Sequence, residues 1–170
     1  MNIFIKGLIA VFFLTGCNTS ISNFTVPKAP NPLDRAIDKI GLEERRDRQE
    51  IKSFVGVDPV RTEWCAAFVN AVLEESNIPS NKDHKYPLTA RAFLDWGETI
   101  SKENIYPGDI VIFPRGNQGW QGHVGFYIRT VIKDGKEYYA ILGGNQSNKV
   151  SIELYPINSA LGIRRYSLYN

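Results

Sequence analysis

The chain has 170 residues, of which 43% are hydrophobic and 22% charged, which is typical of a globular protein with one hydrophobic core. The formal net charge is +2, so the composition gives no support for a nucleic-acid-binding protein. No long block of like charges indicates an interaction tail.

An apolar run near the N-terminus predicts an export signal. Residues 7–14 are apolar, follow Lys6 and are too few to span a bilayer. The run ends in Leu14-Thr15-Gly16-Cys17, which resembles the bacterial lipoprotein signal, whose cysteine receives lipid. We expect a signal peptide over residues 1–16 and a lipid on Cys17 that anchors the protein in the cell envelope. A plain signal peptide or a short hydrophobic anchor is the alternative.

The residues after this signal predict a tether and one domain. Residues 17–31 are rich in Ser, Thr, Asn and Pro, which is typical of a flexible tether, and the domain is expected over residues 32–170. Asn18 is not the aspartate that often retains lipoproteins at the inner membrane, which favours the outer membrane, facing the periplasm, in a Gram-negative cell. If Cys17 carries lipid, Cys65 has no disulfide partner, and a lone thiol is expected to be buried or used in chemistry.

Helical patterns occupy the first half of the domain. Residues 32–55 have helical spacing, and Gly41 is expected to divide them into two helices. A third helix is predicted over residues 65–75. A short helix over residues 89–96, with Thr89 as a possible N-cap, follows.

The second half of the domain has the pattern of β-strands. Their connections are short, so neighbouring strands are expected to pair antiparallel. Helices followed by strands are typical of an α+β fold. The predicted strands are residues 109–113, 122–132, 136–145, 150–155 and 161–166.

Cys65 falls in the first turn of the third helix, after the turn at Asp58-Pro59. Unpaired amides and the helix dipole favour a thiolate there. This position is a common one for a cysteine nucleophile. An inert, buried cysteine is the alternative interpretation.

A cysteine nucleophile needs a general base, and histidine is the usual one. The two histidines are His84, in a charged loop, and His123, at the start of a predicted strand beside glycines. We expect His84 to be an exposed surface residue and His123 to be the base. The alternative for His123 is a strand-end histidine with a backbone partner.

Strand register predicts the group that orients His123. A three-residue loop around Gly135 would place Asn145 opposite His123, whereas a two-residue Asp134-Gly135 turn would place Gln146 there. Either amide can accept a hydrogen bond from the imidazole and fix its tautomer.

Four blocks together resemble the CHAP and NlpC superfamily of papain-like bacterial cysteine hydrolases. They are residues 64–69 (WCAAFV), 107–113 (PGDIVIF), 122–127 (GHVGFY) and 143–146 (GGNQ). More narrowly, the chain resembles short peptidase-like proteins of phage and bacterial origin that carry the last block. Gly143 replaces an acidic residue found in many members, and Glu63 and Thr62 stand where papain-like enzymes have an upstream glutamine.

The resemblance implies a papain-like α+β fold in which the cysteine helix packs on an antiparallel sheet. It implies Cys65 as nucleophile, His123 as base and Asn145 as orienting residue, with peptidoglycan as substrate. No cofactor is expected, and no metal either, because apart from Cys65 the two distant histidines make no ligand set. Trp64, Trp120 and Gln146 are predicted to contact the substrate.

Two other functions remain open at this stage. One is a non-catalytic lipoprotein of the same fold that binds wall fragments or a partner. The other is a thiol acyl hydrolase or transferase that acts on a different amide or on a lipid. Nothing in the sequence indicates the oligomeric state.

Overall fold

The computed structural model describes residues 31–167. The predicted signal peptide over residues 1–16, the predicted lipid site at Cys17 and nearly all of the predicted tether lie outside these residues. Within the described part of the chain, no helix is both long and apolar enough to cross a membrane.

Within residues 31–167, three α-helices lie in the first part of the domain: α1 (Pro32–Ile37), α2 (Arg48–Val55) and α3 (Cys65–Glu75). The side chain of Asn31 caps α1 by accepting a hydrogen bond from the Leu33 amide. Gly41 lies between α1 and α2 with φ +94°, a left-handed conformation that favours glycine. The predicted division into two helices is therefore confirmed.

The short helix predicted over residues 89–96 is present as a 3-10 helix, Ala90–Asp95. Thr89 occupies the N-cap position, as predicted, but its side chain makes no cap hydrogen bond. Short 3-10 segments serve as connectors, and this one is held by packing, since Phe93 is fully buried and the Trp96 indole donates to the Pro79 carbonyl at 2.9 Å.

In the part of the chain that the structure describes, six strands form one sheet in the order β1-β6-β2-β3-β4-β5, with every neighbouring pair antiparallel. The five predicted strands are confirmed to within one residue at each end, and β1 is the strand that the sequence pattern missed. The fold class is α+β, as predicted. The strands are β1 (Glu98–Thr99), β2 (Ile110–Pro114), β3 (Gly122–Lys133), β4 (Lys136–Gln146), β5 (Lys149–Pro156) and β6 (Gly162–Arg165).

The sheet buries apolar side chains on both faces. In β2, Ile110 and Ile112 belong to the core on the helix side, whereas Val111 and Phe113 belong to a second cluster on the opposite face. On the helix side, α3 lies against β3 and β4, and its residues from Cys65 to Leu73 are all buried. This packing brings the first turn of α3 to the two strands that carry the predicted base and its partner.

Candidate active site

Cys65 is the first residue of α3, as predicted, and only 3% of it is exposed. Burial raises the pKa of its thiol, although the Val124 amide in β3, the Arg115 guanidinium and the Ala66 amide favour the charged form. The prediction that the helix N-terminus favours a thiolate is therefore wrong for the resting site. The cost of removing a charged thiolate from water is larger than the stabilisation that the neighbouring amides give it.

The pairing of strands β3 and β4 stops before it reaches His123. Their ladder runs from Lys133 opposite Lys136 and ends at Phe126 opposite Leu142. Beyond that point lies Val124, whose amide faces Cys65. The first turn of α3 thus meets the sheet where the pairing of these two strands stops.

Gly144 explains how closely β4 approaches α3. A Cβ atom at this position would lie 2.5 Å from the Trp64 ring and 2.7 Å from Cβ of Phe68. Any side chain here would push the strand away from the helix that carries Cys65. Gly143 is also closely packed, because a Cβ atom added there would lie 3.2 Å from Nε2 of His123.

His123 lies in β3 opposite Phe113 and is 2% exposed. Its Nε2 is 3.0 Å from Oε1 of Gln146, and its Nδ1 makes no hydrogen bond within residues 31–167. His84 lies elsewhere, where its Nδ1 accepts a hydrogen bond from the Tyr86 amide at 3.0 Å and its Nε2 is 3.6 Å from Asp95. The structure thus places His123, and not His84, in the strand that lies against Cys65.

The orientation of the Gln146 amide determines the tautomer of His123. The amide nitrogen donates to the backbone carbonyls of Ser151 and, at 3.3 Å, of Ile141. Because a carbonyl only accepts, the nitrogen must face these groups and Oε1 must face the imidazole. Nε2 of His123 therefore donates its proton to Gln146, and Nδ1 carries a free lone pair.

The imidazole is uncharged over most of the pH range. The pKa of His123 is lowered to about 4, chiefly by burial and also by the positive charge of Arg115, while the hydrogen bond to Gln146 partly opposes both effects. The side chain therefore combines the neutral form, a fixed tautomer and an available Nδ1. These are the properties that a general base requires.

Asn145 does not take the place predicted for it by the family resemblance. Its side-chain amide donates to Glu63, and its backbone carbonyl accepts from Nη1 of Arg115 at 3.3 Å. Asn145 has φ +58°, a left-handed conformation that asparagine tolerates, and here the strand turns this side chain away from the one that follows. The imidazole is bonded to Gln146, the alternative that strand register had left open.

The three residues predicted to contact substrate differ in their burial. Trp64 is fully buried and its indole donates to Glu44 at 3.3 Å, so the prediction that it contacts substrate is wrong. Gln146 is 2% exposed and is bonded to His123, which leaves it no surface for a substrate. Trp120 is 66% exposed in the loop before β3, and its role stays a prediction.

Tyr155 in β5 belongs to the site, although no motif marked it. Its ring stacks on that of His123, with centroids 5.3 Å apart and planes 11° apart, and on that of Phe113, with centroids 4.5 Å apart. Its hydroxyl donates to Oε1 of Gln146 at 3.1 Å. The sole sequence signal was an aromatic residue in the strand that follows the Gly-Gly-Asn-Gln block.

In the described range, no three side chains of His, Cys, Asp or Glu lie together as metal ligands.

Comparison with known proteins finds likeness among solved structures. No protein-family model matches the chain, and no curated protein matches it. The chain is similar to a solved structure described as an NlpC/P60 family protein from Bacillus cereus ATCC 10987, with a TM-score of 0.46 and 16% identity. The match covers 84% of this chain and 41% of the other, so the chain spans less than half of that protein. A likeness this low assigns neither family nor activity.

Proposed function

We propose that the chain is a thiol hydrolase of the bacterial cell envelope that cleaves a peptide or amide bond of peptidoglycan. One observation carries the catalytic part. His123 is neutral, is bonded through Nε2 to Gln146 and keeps Nδ1 free, and the next residue, Val124, directs its amide at the Cys65 thiol. A nucleophile and a base on adjoining elements, with the base oriented by a third group, are the parts of covalent catalysis.

The proposed reaction has two halves. As Sγ of Cys65 attacks the carbonyl carbon, Nδ1 of His123 takes the thiol proton, and a carbon–sulfur bond forms. The carbon–nitrogen bond then breaks, and Nδ1 returns the proton to the leaving amine. Water attacks the resulting thioester while Nδ1 accepts a proton from it. The carbon–sulfur bond then breaks, the acid leaves, and Nδ1 returns the proton to the Cys65 thiolate. The Cys65 amide is the proposed donor to the carbonyl oxygen.

The directions in which the pKa values of Cys65 and His123 are shifted determine when the thiol proton moves to the imidazole. Burial raises the pKa of Cys65 and lowers that of His123, so the resting pair is a neutral thiol and a neutral imidazole. We infer that proton transfer accompanies attack on the carbonyl rather than preceding it. Oε1 of Gln146 then faces the proton on Nε2 and stabilises the positive imidazolium as it forms.

The substrate class and the location rest on the sequence. The four blocks that resemble CHAP and NlpC hydrolases support peptidoglycan, and the lipoprotein-like signal ending at Cys17 supports anchoring in the envelope. We propose that the mature chain begins at Cys17 and acts on the wall from a lipid anchor.

Digestion of purified peptidoglycan by the full-length protein in mild detergent tests the proposal. The matched variants are Cys65→Ala and His84→Ala, and the products are identified by mass spectrometry. We expect the wild type and His84→Ala to release the same fragments and Cys65→Ala to release none. Fragments from Cys65→Ala would refute the proposed nucleophile. If no variant released fragments, a folded protein that bound wall would support the binding function instead.

A further inference from the structure

Tyr155 packs against the second apolar cluster and stacks with two aromatic rings. Its ring is stacked on Phe113, with planes 23° apart, and on His123, with planes 11° apart. One face of the imidazole is therefore covered by an aromatic ring and not by solvent. This contact restricts rotation of the His123 ring and contributes to its burial.

The hydroxyl of Tyr155 is bonded to the atom that orients His123. Oε1 of Gln146 accepts from Tyr155 at 3.1 Å and lies 3.0 Å from Nε2 of His123. A carbonyl oxygen has two lone pairs, so these two donors saturate it. Because the Gln146 nitrogen is occupied by backbone carbonyls, the tyrosine hydroxyl must be a donor here.

We propose that Tyr155 is a positioning residue that acts on His123 through Gln146. Its hydroxyl holds the Gln146 carbonyl against Nε2, and its ring keeps water from that hydrogen bond. Together they keep the proton on Nε2 and leave Nδ1 as the base. The catalytic consequence rests on the function proposed above, whereas the positioning itself does not.

The Nε2–H proton of His123 gives a test that needs no substrate. NMR of the full-length protein in detergent, labelled with 15N-histidine, measures exchange of this proton with water in wild type, Tyr155→Phe and Gln146→Ala. Tyr155→Phe keeps the ring and loses only the hydroxyl. We expect exchange at least about tenfold faster in Tyr155→Phe, since one neutral hydrogen bond is lost. Tyr106→Phe, at a 70% exposed tyrosine, is the matched control and should exchange as the wild type does.

Coupling between the two residues completes the test. On peptidoglycan we expect Tyr155→Phe to lower kcat about five- to tenfold with KM unchanged, and the double variant Tyr155→Phe/Gln146→Ala to be no slower than Gln146→Ala alone. The inference would be overturned if the Nε2–H proton exchanged in Tyr155→Phe at the wild-type rate. It would also be overturned if the losses of kcat in the two single variants added fully in the double variant. If the wild type cleaved no wall while exchange still responded to Tyr155→Phe, the proposed function would fail and the positioning role would stand.

Discussion

At the scale of single residues, one glutamine amide sets the chemistry of the site. Gln146 presents its oxygen to His123 because two backbone carbonyls hold its nitrogen. The sequence could place an amide near the histidine but could not choose between Asn145 and Gln146. Hydrogen-bond partners from β4 and β5 made that choice.

Replacing the thiol isolates its chemical role. We expect Cys65→Ala to lower wall hydrolysis at least about 1,000-fold, because no other group can form the thioester. A single buried sulfur contributes little polar bonding, so the thermal unfolding midpoint should stay within a few degrees of wild type. Product release and thermal unfolding are measured on the same preparation. Residual hydrolysis near the wild-type rate would contradict this prediction.

The depressed pKa of His123 makes stability depend on pH. Between pH 6.5 and about 4 the unfolded chain binds a proton at this histidine and the folded chain does not, so the free energy of unfolding falls as the pH falls. This contribution is complete above pH 6.5 and is about 3 kcal/mol across the window. Urea unfolding from pH 4 to 7 measures it.

Two variants show whether His123 is the source of that slope. We expect His123→Gln to flatten this part of the profile, and His84→Gln to leave it unchanged because His84 lies outside the buried site. An unchanged slope in His123→Gln would show that another group is responsible.

At the scale of elements, two irregularities in the strands decide which side chain meets His123. The turn between β3 and β4 pairs Lys133 with Lys136, which is the two-residue turn that favours Gln146. An extra residue in β3, between Tyr127 and Arg129, shifts the count by one. A second shift, in β4 between Gly143 and Gln146, restores it. Such bulges leave weak signals in sequence, and counting from the two-residue turn reaches Gln146 only because the two shifts cancel.

Gly144 is where strand and helix come closest, and a methyl group there tests that contact. We expect Gly144→Ala to lower the free energy of unfolding by about 1–3 kcal/mol, since its Cβ would overlap Trp64 and Phe68. Hydrolysis should fall as well, because β4 and α3 carry the two sides of the site. Gly119→Ala is the matched control, with no atom within 4 Å of its added Cβ, and should unfold as the wild type does. Denaturant unfolding compares the two, and equal midpoints would refute the close approach.

At the scale of the whole molecule, three separate segments meet at the rim of the site. Glu63 precedes α3, Arg115 follows β2 and Asn145 lies near the end of β4. Nη1 of Arg115 is 3.6 Å from Glu63, whose side chain is 78% exposed, so this ion pair adds little stability. The positive charge of Arg115 nevertheless favours the thiolate form of Cys65 and the neutral form of the His123 imidazole. The rim therefore connects parts of the chain that are distant in sequence.

The proposed lipid anchor concerns the whole chain and lies outside the described residues. We expect Cys17→Ser to abolish lipid attachment and to release the protein from the membrane fraction if the signal is still cleaved. Intact mass and fractionation of cells that express each form measure this. Cys65→Ser is the matched control and should stay lipidated. A lipid mass on Cys17→Ser would contradict the prediction.

The sequence alone determined the helices, the five main strands and the α+β class, because hydrophobic period and glycine positions are local properties. It also placed Cys65 at a helix start and His123 in a strand. The tertiary structure decided the rest. It buried Trp64, turned Asn145 toward Glu63, joined Gln146 and Tyr155 to His123 and raised the pKa of the thiol. Bulges and desolvation depend on neighbours distant in the chain, and no local pattern records them.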